Sequence, residues 1–449
     1  MARKKKIVIG LLGLGTVGSG VAELLEKNRQ HIESRVGAQL EIKAALVRDL
    51  SKARSAVPAS TKITQKPSDI LDDPEIDLVV ELMGGFEPAR TYILQAISKG
   101  KHVVTANKAV MAKHWDEIFQ AAHDKGVEVY LEASVGAGIP CVQAINDGLA
   151  ANRIQELTAI INGTTNFILT GMAHYGQTFE KSLKDAQAKG YAEADPSFDI
   201  DGTDACHKLA ILSSIAFDQR VRIEDIHLQG IRGITKADID AARTEMNCTV
   251  KHLAIARSRD ESGAPAAGLE IQVVPALIPL DHPLAGVEGV YNGILVTGDA
   301  VGRVMLSGRG AGKMPTASAV ISDIIYIARN VAVGVAGKVP AVAYDVDHVE
   351  SRRIVPADEI RNRFFLRFTA MDQPGVLARI ASILAEHGIS ISSVAQNERQ
   401  KGSSVPVYLS TYTATEKAMR EAIATIEALP AVKQGTLVMR LEIPENYSA

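Results

Sequence analysis

From about residue 6 to 135 the chain repeats one pattern, a short apolar run followed by a longer segment with apolar positions every three or four residues. Ile7–Leu12 predicts a first strand and about Val17–Glu33 a helix; Ile42–Val47 and Asp77–Met83 predict further strands. Pro88–Lys99 then reads as a helix, Lys101–Thr105 as a strand, His114–Lys125 as a helix and Val127–Leu131 as a strand. Apolar strands alternating with amphipathic helices imply a parallel sheet covered on both faces.

The pattern changes beyond this. Between about 136 and 340, helices (Ile139–Ala150, Phe179–Lys189, Asp204–Ala216, Ser318–Ala332) mix with strand-like runs at Leu269–Ile278 and Gly293–Gly298, around a polar turn at Arg259–Gly268. A polar stretch, Ser351–Arg363, precedes a strand at Phe364–Ala370, a helix at Gly375–His387 and a strand at Ile389–Ala395. After a turn at Gln400–Ser404 come a strand at Val405–Tyr412, a helix at Glu416–Leu429 and a strand at Gly435–Ile443. That βαββαβ order is ferredoxin-like. The expected organisation is an α/β protein: a Rossmann-type doubly wound domain (1–135), an α+β substrate and dimerisation domain (136–350), a spacer (351–363) and a ferredoxin-like domain (364–445). The helix near 310–335 is expected to pack back on the first domain.

Composition narrows the partners. Over 449 residues, 49 Lys+Arg face 52 Asp+Glu, which gives no basic footprint for nucleic acid or an anionic membrane. Cys141, Cys206 and Cys248 are few and widely spaced, as expected of a reducing, cytoplasmic setting without a disulfide framework. Arg3–Lys6 ahead of an apolar run imitates a secretory signal, but the run leads into glycines and a helix rather than a cleavage site. Val320–Gly337 contains Asp323 and Arg329 and makes a poor membrane span. A soluble protein is expected.

Gly13-Leu14-Gly15-Thr16-Val17-Gly18 fits GxGxxG, directly after a strand and at the opening of a helix. There the first glycine permits the turn, the second admits a pyrophosphate and the third brings helix and strand together. Thr16 and Val17 begin the helix whose N–H groups would meet phosphate. Arg48 and Asp49 follow the second strand; the arginine favours NADP through its 2′-phosphate, with NAD left open. A surface charge at a strand end is the plainer account of Arg48.

Thr105-Ala106-Asn107-Lys108 sits at the carboxyl edge of the parallel sheet, where such folds bind ligands. Lys108 is either a group for a substrate oxygen or a solvated surface lysine. Residues 189–208 concentrate five carboxylates (Glu193, Asp195, Asp199, Asp201, Asp204) and two lysines (Lys189, Lys208). A calcium loop fails there, since Gly202 is misplaced and Ala210 stands where a bidentate Glu is needed. Asp204 and Lys208 share a helix face; spacing alone favours a modest surface pair over a proton-handling lysine. The glycine-rich Glu132–Pro140 stretch is either a domain crossover or a set of carbonyls for a cation.

Taken together, these motifs resemble the homoserine dehydrogenase family in its long bacterial form with a C-terminal ACT domain. The resemblance runs through GLLGLGTVG (10–18), ELMGG (81–85), TANK (105–108), EASVGAGIP (132–140), NGTTN (162–166), residues 189–212 and GRGAGKMPTASAV (308–320). It implies reversible NAD(P)H-dependent reduction of L-aspartate 4-semialdehyde to L-homoserine, towards threonine, methionine and isoleucine. It casts Lys108 and Lys208 as catalytic lysines, and Gly190, Glu193 and Asp204 as substrate contacts. It also implies a monovalent cation, commonly sodium, on the Glu132 side chain and the carbonyls of Val135, Ala137 and Ile139, and a cofactor-closing loop at Gly310. Ala137 and Arg309 depart from the family's commoner Gly and Pro. In the ACT domain, Asp372, Gly375, Val376 and Leu377 would bind an effector, threonine, against a second subunit, within a homodimer or homotetramer. Two rivals remain at this point. An aspartate-semialdehyde dehydrogenase would need an activated cysteine, and Cys141 has no His beside it; a non-catalytic sensor would not need Lys108, Glu193, Asp204 and Lys208.

Overall fold

The computed structural model describes residues 4–52, 57–259, 268–338, 342, 352–396 and 403–443. Most of the expected turns at 259–268 and 400–404, Arg3, and the 444–445 end of the last domain lie outside them. The chain forms two compact units.

The first unit comprises Met1–Ile154, His207–Ile223 and Gly298–Ser351. Its sheet contains β1 (Lys6–Leu12), β2 (Gln39–Leu46), β3 (Lys62–Thr64), β4 (Leu78–Glu81), β5 (His102–Thr105) and β6 (Val129–Tyr130). The order is β3-β2-β1-β4-β5-β6, and neighbouring strands pair in parallel. This is the doubly wound order whose direction reverses beside β1 and β4, opening a crevice at their carboxyl ends. Helices α1 (Thr16–Lys27), α2 (Arg29–Val36), α3 (Ala89–Ser98) and α4 (Lys108–Lys125) connect the strands. The single helix expected over 17–33 breaks at Asn28, whose φ of −110° leaves the helical region. The break re-aims the chain so that Ile32 and Val36 of α2 join the same core as Ile7, Val21 and Leu25.

A long helix, Lys313–Val333, returns to this core and buries Ala317, Val320, Ile324, Ile327 and Ala328 with β1 and α1. By length and composition alone it would pass for a membrane span, but half of its apolar window is inside the unit. It is a core helix. The helix expected over 139–150 shrinks to one regular turn, Cys141–Gln143, then a wider turn, Ala144–Gly148. Asn146, Asp147 and Gly148 are weak helix formers, and Pro140 stands at the entry.

The second unit comprises Gln155–Cys206, Glu224–Thr297 and Arg352–Ala449. Its strands are β7 (Ile154–Ile160), β8 (His227–Leu228), β9 (Cys248–Ser258), β10 (Leu269–Pro279), β11 (Tyr291–Gly298), β12 (Phe364–Met371), β13 (Ile391–Ala395), β14 (Ser404–Thr411) and β15 (Val432–Leu441). They run β11-β7-β9-β10-β15-β12-β14-β13, with β8 also on β10. Its helices are α5 (Gly163–Tyr175), α6 (Phe179–Ala188), the first turn of α7 (Thr203–Ala216), α8 (Lys236–Met246), α9 (Val376–Glu386) and α10 (Glu416–Glu427). Sequence patterning missed β7, β8, β9, α5 and α8.

The C-terminal domain keeps the βαββαβ order, yet it is not a separate body. Its last strand pairs in parallel with β10, Ala276 opposite Arg440 and Leu277 opposite Leu441. Alternation along β12 decides which face sees which core. Phe364, Leu366 and Phe368 pack with Ile380, Leu384 and Met419 of the domain's own helices. Phe365 instead joins Tyr408, Leu437, Met439 and Leu441 in a core with Ile168 and Met172 of α5. The expected 351–363 spacer is docked as well. The Leu269 amide donates to Arg353 O at 2.8 Å, the Val355 amide donates to Leu269 O at 3.0 Å, and Val355 and Ile360 are buried. A polar composition signalled a spacer because the segment's apolar residues are few, but those few are the ones that anchor it.

At the junction Arg440, 2% exposed, donates to both Glu416 oxygens at 2.9 and 2.7 Å, and Asn362 Nδ2 donates to Glu416 Oε1 at 2.7 Å. Asn362 in turn exchanges hydrogen bonds with Gln272 of β10.

Candidate functional site

The glycine loop follows from sterics. Gly13 has φ +106°, and a Cβ there would lie 2.9 Å from Leu82 O. At Gly18 a Cβ would lie 2.3 Å from Gly13 O, so the helix can start this close to the turn only with glycine. A Cβ on Gly15 would meet nothing within 4 Å. That open space faces the start of the 12-residue α1, whose N-cap carries no side-chain hydrogen bond. A backbone cradle with open room above a helix N-terminus fits a dinucleotide pyrophosphate. Thr16 is exposed, Val17 is half-buried, and Arg48 is exposed just beyond β2 with its carbonyl accepting from Gln65 Nε2 at 2.7 Å.

Beside this loop, at the ends of β4 and β5, a hydrogen-bond chain sets the start of α4. Thr105 Oγ1 donates to Glu81 Oε2 at 2.7 Å, and the Asn107 amide donates to Thr105 Oγ1 at 3.0 Å. Asn107 Nδ2 donates to Gly85 O at 2.8 Å while its Oδ1 accepts from the Val110 amide at 3.2 Å. Lys108, half-buried, is the first residue of the helix so capped. Glu81 is fully buried, and burial raises its carboxyl above the usual carboxylate range. Glu81 and Asn107 were missed in the sequence, although ELMGG and TANK contain them.

The Glu132–Ile139 loop is buried throughout its four expected cation ligands, with Glu132 2% and Ala137 5% exposed. Ala137 takes a left-handed φ of +44°, which L residues adopt reluctantly and which turns successive carbonyls out of register. The Glu132 carboxylate accepts from the Val142 and Gln143 amides at 2.9 and 2.8 Å, and the Glu132 amide donates to Asp323 Oδ2 at 3.0 Å. Burial pushes Glu132 up to about 7 and Asp323 well above its ordinary value. Two buried carboxyls with so little counter-charge fit a cation held largely by carbonyls. Among the described residues no group of three or more His, Cys, Asp or Glu side chains forms a metal site. Gly310 lies in the same unit, where the Gly138 amide donates to Arg309 O at 3.2 Å.

In the second unit the carboxylates of 193–204 separate by task. Asp195 accepts from the Ser197 amide at 3.0 Å and closes a turn; Asp201 pairs with Arg232. Asp199 and Asp204 are joined by Asn162, whose Nδ2 donates to them at 2.7 and 2.9 Å. Gly190 has φ +72° and Glu193 is exposed, on a loop tied down by Thr164 Oγ1 donating to Tyr191 O at 2.7 Å. Lys208 is half-buried on α7, one turn beyond Asp204. Lys108 and Lys208 belong to the first unit, Gly190, Glu193 and Asp204 to the second.

In the C-terminal domain, Asp372–Gly375 forms the loop into α9, which Val376 and Leu377 begin, with Gly375 at φ +91° and Leu377 38% exposed. Asp372 Oδ2 is buried without a hydrogen-bond partner among the described residues.

A nucleotide cradle at the switch point of a parallel sheet defines a dinucleotide-binding domain of the kind that nicotinamide-dependent oxidoreductases use. The comparisons agree. Residues 13–132 match the homoserine dehydrogenase NAD-binding domain, 140–325 the homoserine dehydrogenase family model and 364–431 the ACT domain. The chain is 44% identical to homoserine dehydrogenase of Pseudomonas aeruginosa, over 98% of this chain and 99% of that one. A homoserine dehydrogenase structure from Thiobacillus denitrificans superposes with a TM-score of 0.91 at 45% identity, covering 99% of this chain and 100% of that one. A hyperthermophilic archaeal homoserine dehydrogenase in complex with NADPH matches with a TM-score of 0.59 at 28% identity, over 71% of this chain and 97% of that one. The chain belongs to the homoserine dehydrogenase family.

Proposed function

We propose that the chain interconverts L-aspartate 4-semialdehyde and L-homoserine with NADP or NAD, on the route to threonine, methionine and isoleucine. The observation that carries this reading is the Gly13–Gly18 cradle after β1 and the capped Lys108 after β5, at the carboxyl ends of one parallel sheet with β4 between them. When bound, the nicotinamide supplies or takes the hydride. Lys208 donates the proton to the substrate oxygen and Lys108 stabilises its developing charge, each as an ammonium. Glu193, Asp204 and the Gly190 backbone hold the amino acid, so that orientation contributes to the rate. A steady-state assay of homoserine oxidation with both cofactors tests the reading, and a folded enzyme without turnover overturns it.

Arg48 is proposed to grip the 2′-phosphate, supported by its exposed place just beyond β2. Arg48→Ala is expected to raise KM for NADPH about tenfold or more with little change for NADH, the loss of a charge-assisted pair being worth about 1.5–3 kcal/mol. Equal changes in both constants would make Arg48 a bystander.

Glu132 with the carbonyls of Val135, Ala137 and Ile139 is proposed to hold a monovalent cation, with sodium the first ion to test. Sodium at constant ionic strength, replacing tetramethylammonium, is expected to raise Tm, because a ligand held only by the native state stabilises it by about 2.7 kcal/mol at a hundred times its Kd. Glu132→Gln should abolish the response. Threonine is the proposed effector at Asp372, Gly375, Val376 and Leu377, supported by the unpartnered Asp372 oxygen among the described residues. Assembly as a homodimer or homotetramer, in the cytoplasm, completes the reading; it is supported by β13 ending its sheet and by three buried cysteines outside any disulfide.

A further inference from the structure

We propose that Asn162 is a positioning residue that sets the carboxylates of Asp204 and Asp199 for the substrate ammonium, an inference that rests on the substrate reading above. Asn162 is 4% exposed and ends the segment between β7 and α5. Its Oδ1 accepts from the Thr165 amide at 2.8 Å, which makes it the N-cap of α5. Its Nδ2 donates to Asp199 Oδ1 at 2.7 Å and Asp204 Oδ2 at 2.9 Å. The partners fix the orientation of the amide, since carboxylates only accept and a backbone N–H only donates.

All the hydrogen-bonding capacity of the NH₂ group is therefore spent on two carboxylates from different elements, the short helix Ser197–Ile200 and the first turn of α7. Two anions brought this close repel each other unless a donor lies between them. Asn162 supplies that donor without adding a charge of its own. The N-cap bond with Thr165 fixes the amide to a 13-residue helix, which makes the geometry rigid before substrate arrives. The α-ammonium of an amino acid is the group such a pair fits.

The two roles of Asn162 separate by substitution. Asp and Ser are both good N-caps, so Asn162→Asp and Asn162→Ser keep the bond to the Thr165 amide. Asp supplies no donor and adds a third negative charge; Ser supplies one hydroxyl donor. Expected for positioning is a KM for homoserine that rises at least about tenfold in Asn162→Asp and less in Asn162→Ser, with KM for the dinucleotide within about twofold of wild type. Near-equal homoserine KM values in wild type and Asn162→Ser overturn the proposal, even if Asn162→Asp fails to fold. So does a loss that falls on kcat and dinucleotide KM as much as on homoserine. Wild-type turnover of homoserine, measured in the same series, tests the substrate reading separately; its absence overturns both.

Discussion

Lys208→Ala is expected to leave a folded protein whose turnover in both directions falls by about 10²–10⁴-fold, the usual contribution of one positioned general acid. The reduced aldehyde oxygen takes up a proton as hydride arrives at carbon, and an ammonium at that oxygen lowers the barrier twice, by charge and by proton delivery. Lys208 stands on α7 one turn after Asp204, so the helix sets the proposed proton donor and the proposed anchor for the amino acid on one face. Its half-buried position leaves the fold tolerant of truncation. Turnover within tenfold of wild type in a variant with unchanged Tm would remove Lys208 from the mechanism.

Ending the chain at about residue 351 is expected to give an aggregated or unfolded product rather than an unregulated enzyme. The cut removes β15 from β10 and uncovers backbone groups at Ala276–Leu277. It also strips Phe365, Tyr408, Leu437, Met439 and Leu441 from the core shared with α5. At about 1.5–3 kcal/mol for each large apolar side chain, that loss is comparable to the whole stability of a typical domain, about 5–15 kcal/mol. A soluble truncated chain with wild-type Tm and activity, checked by size-exclusion chromatography and circular dichroism, would refute this. The sequence alone suggested the opposite, an autonomous tail behind a polar spacer, because amphipathic patterning reports that a strand is half-buried but not what buries it.

The same limit explains the rest of what was and was not legible. The parallel sheet, its glycine loop and the βαββαβ tail are local patterns, with periods of two or 3.6 residues and glycines where φ or close approach demands them. The long helix at 313–333 was legible too, as an apolar helix interrupted by charge, although Asp323 reads as a blemish until its oxygen is seen accepting from Glu132. Asn162, Glu81 and Asn107 could not be read, because each acts through partners made near only by folding. Asp204 and Lys208 looked like a surface pair from spacing, since an i,i+4 pair carries no sign of the Asn162 amide waiting beside one member.

The strand pairing at Ala276–Leu277 also bears on how such an enzyme can change in evolution. A domain joined by a tether can be gained or lost by a single recombination at the tether. Here the seam is a row of backbone hydrogen bonds sealed by the buried Arg440–Glu416 ion pair, so a shorter descendant inherits a raw sheet edge and an orphaned polar patch around Gln272 and His227. It would survive only with a new edge guard, such as a proline, a bulge or a lysine on β10, acquired together with the deletion. In this architecture the ACT domain is inherited with the fold of the sheet that it completes.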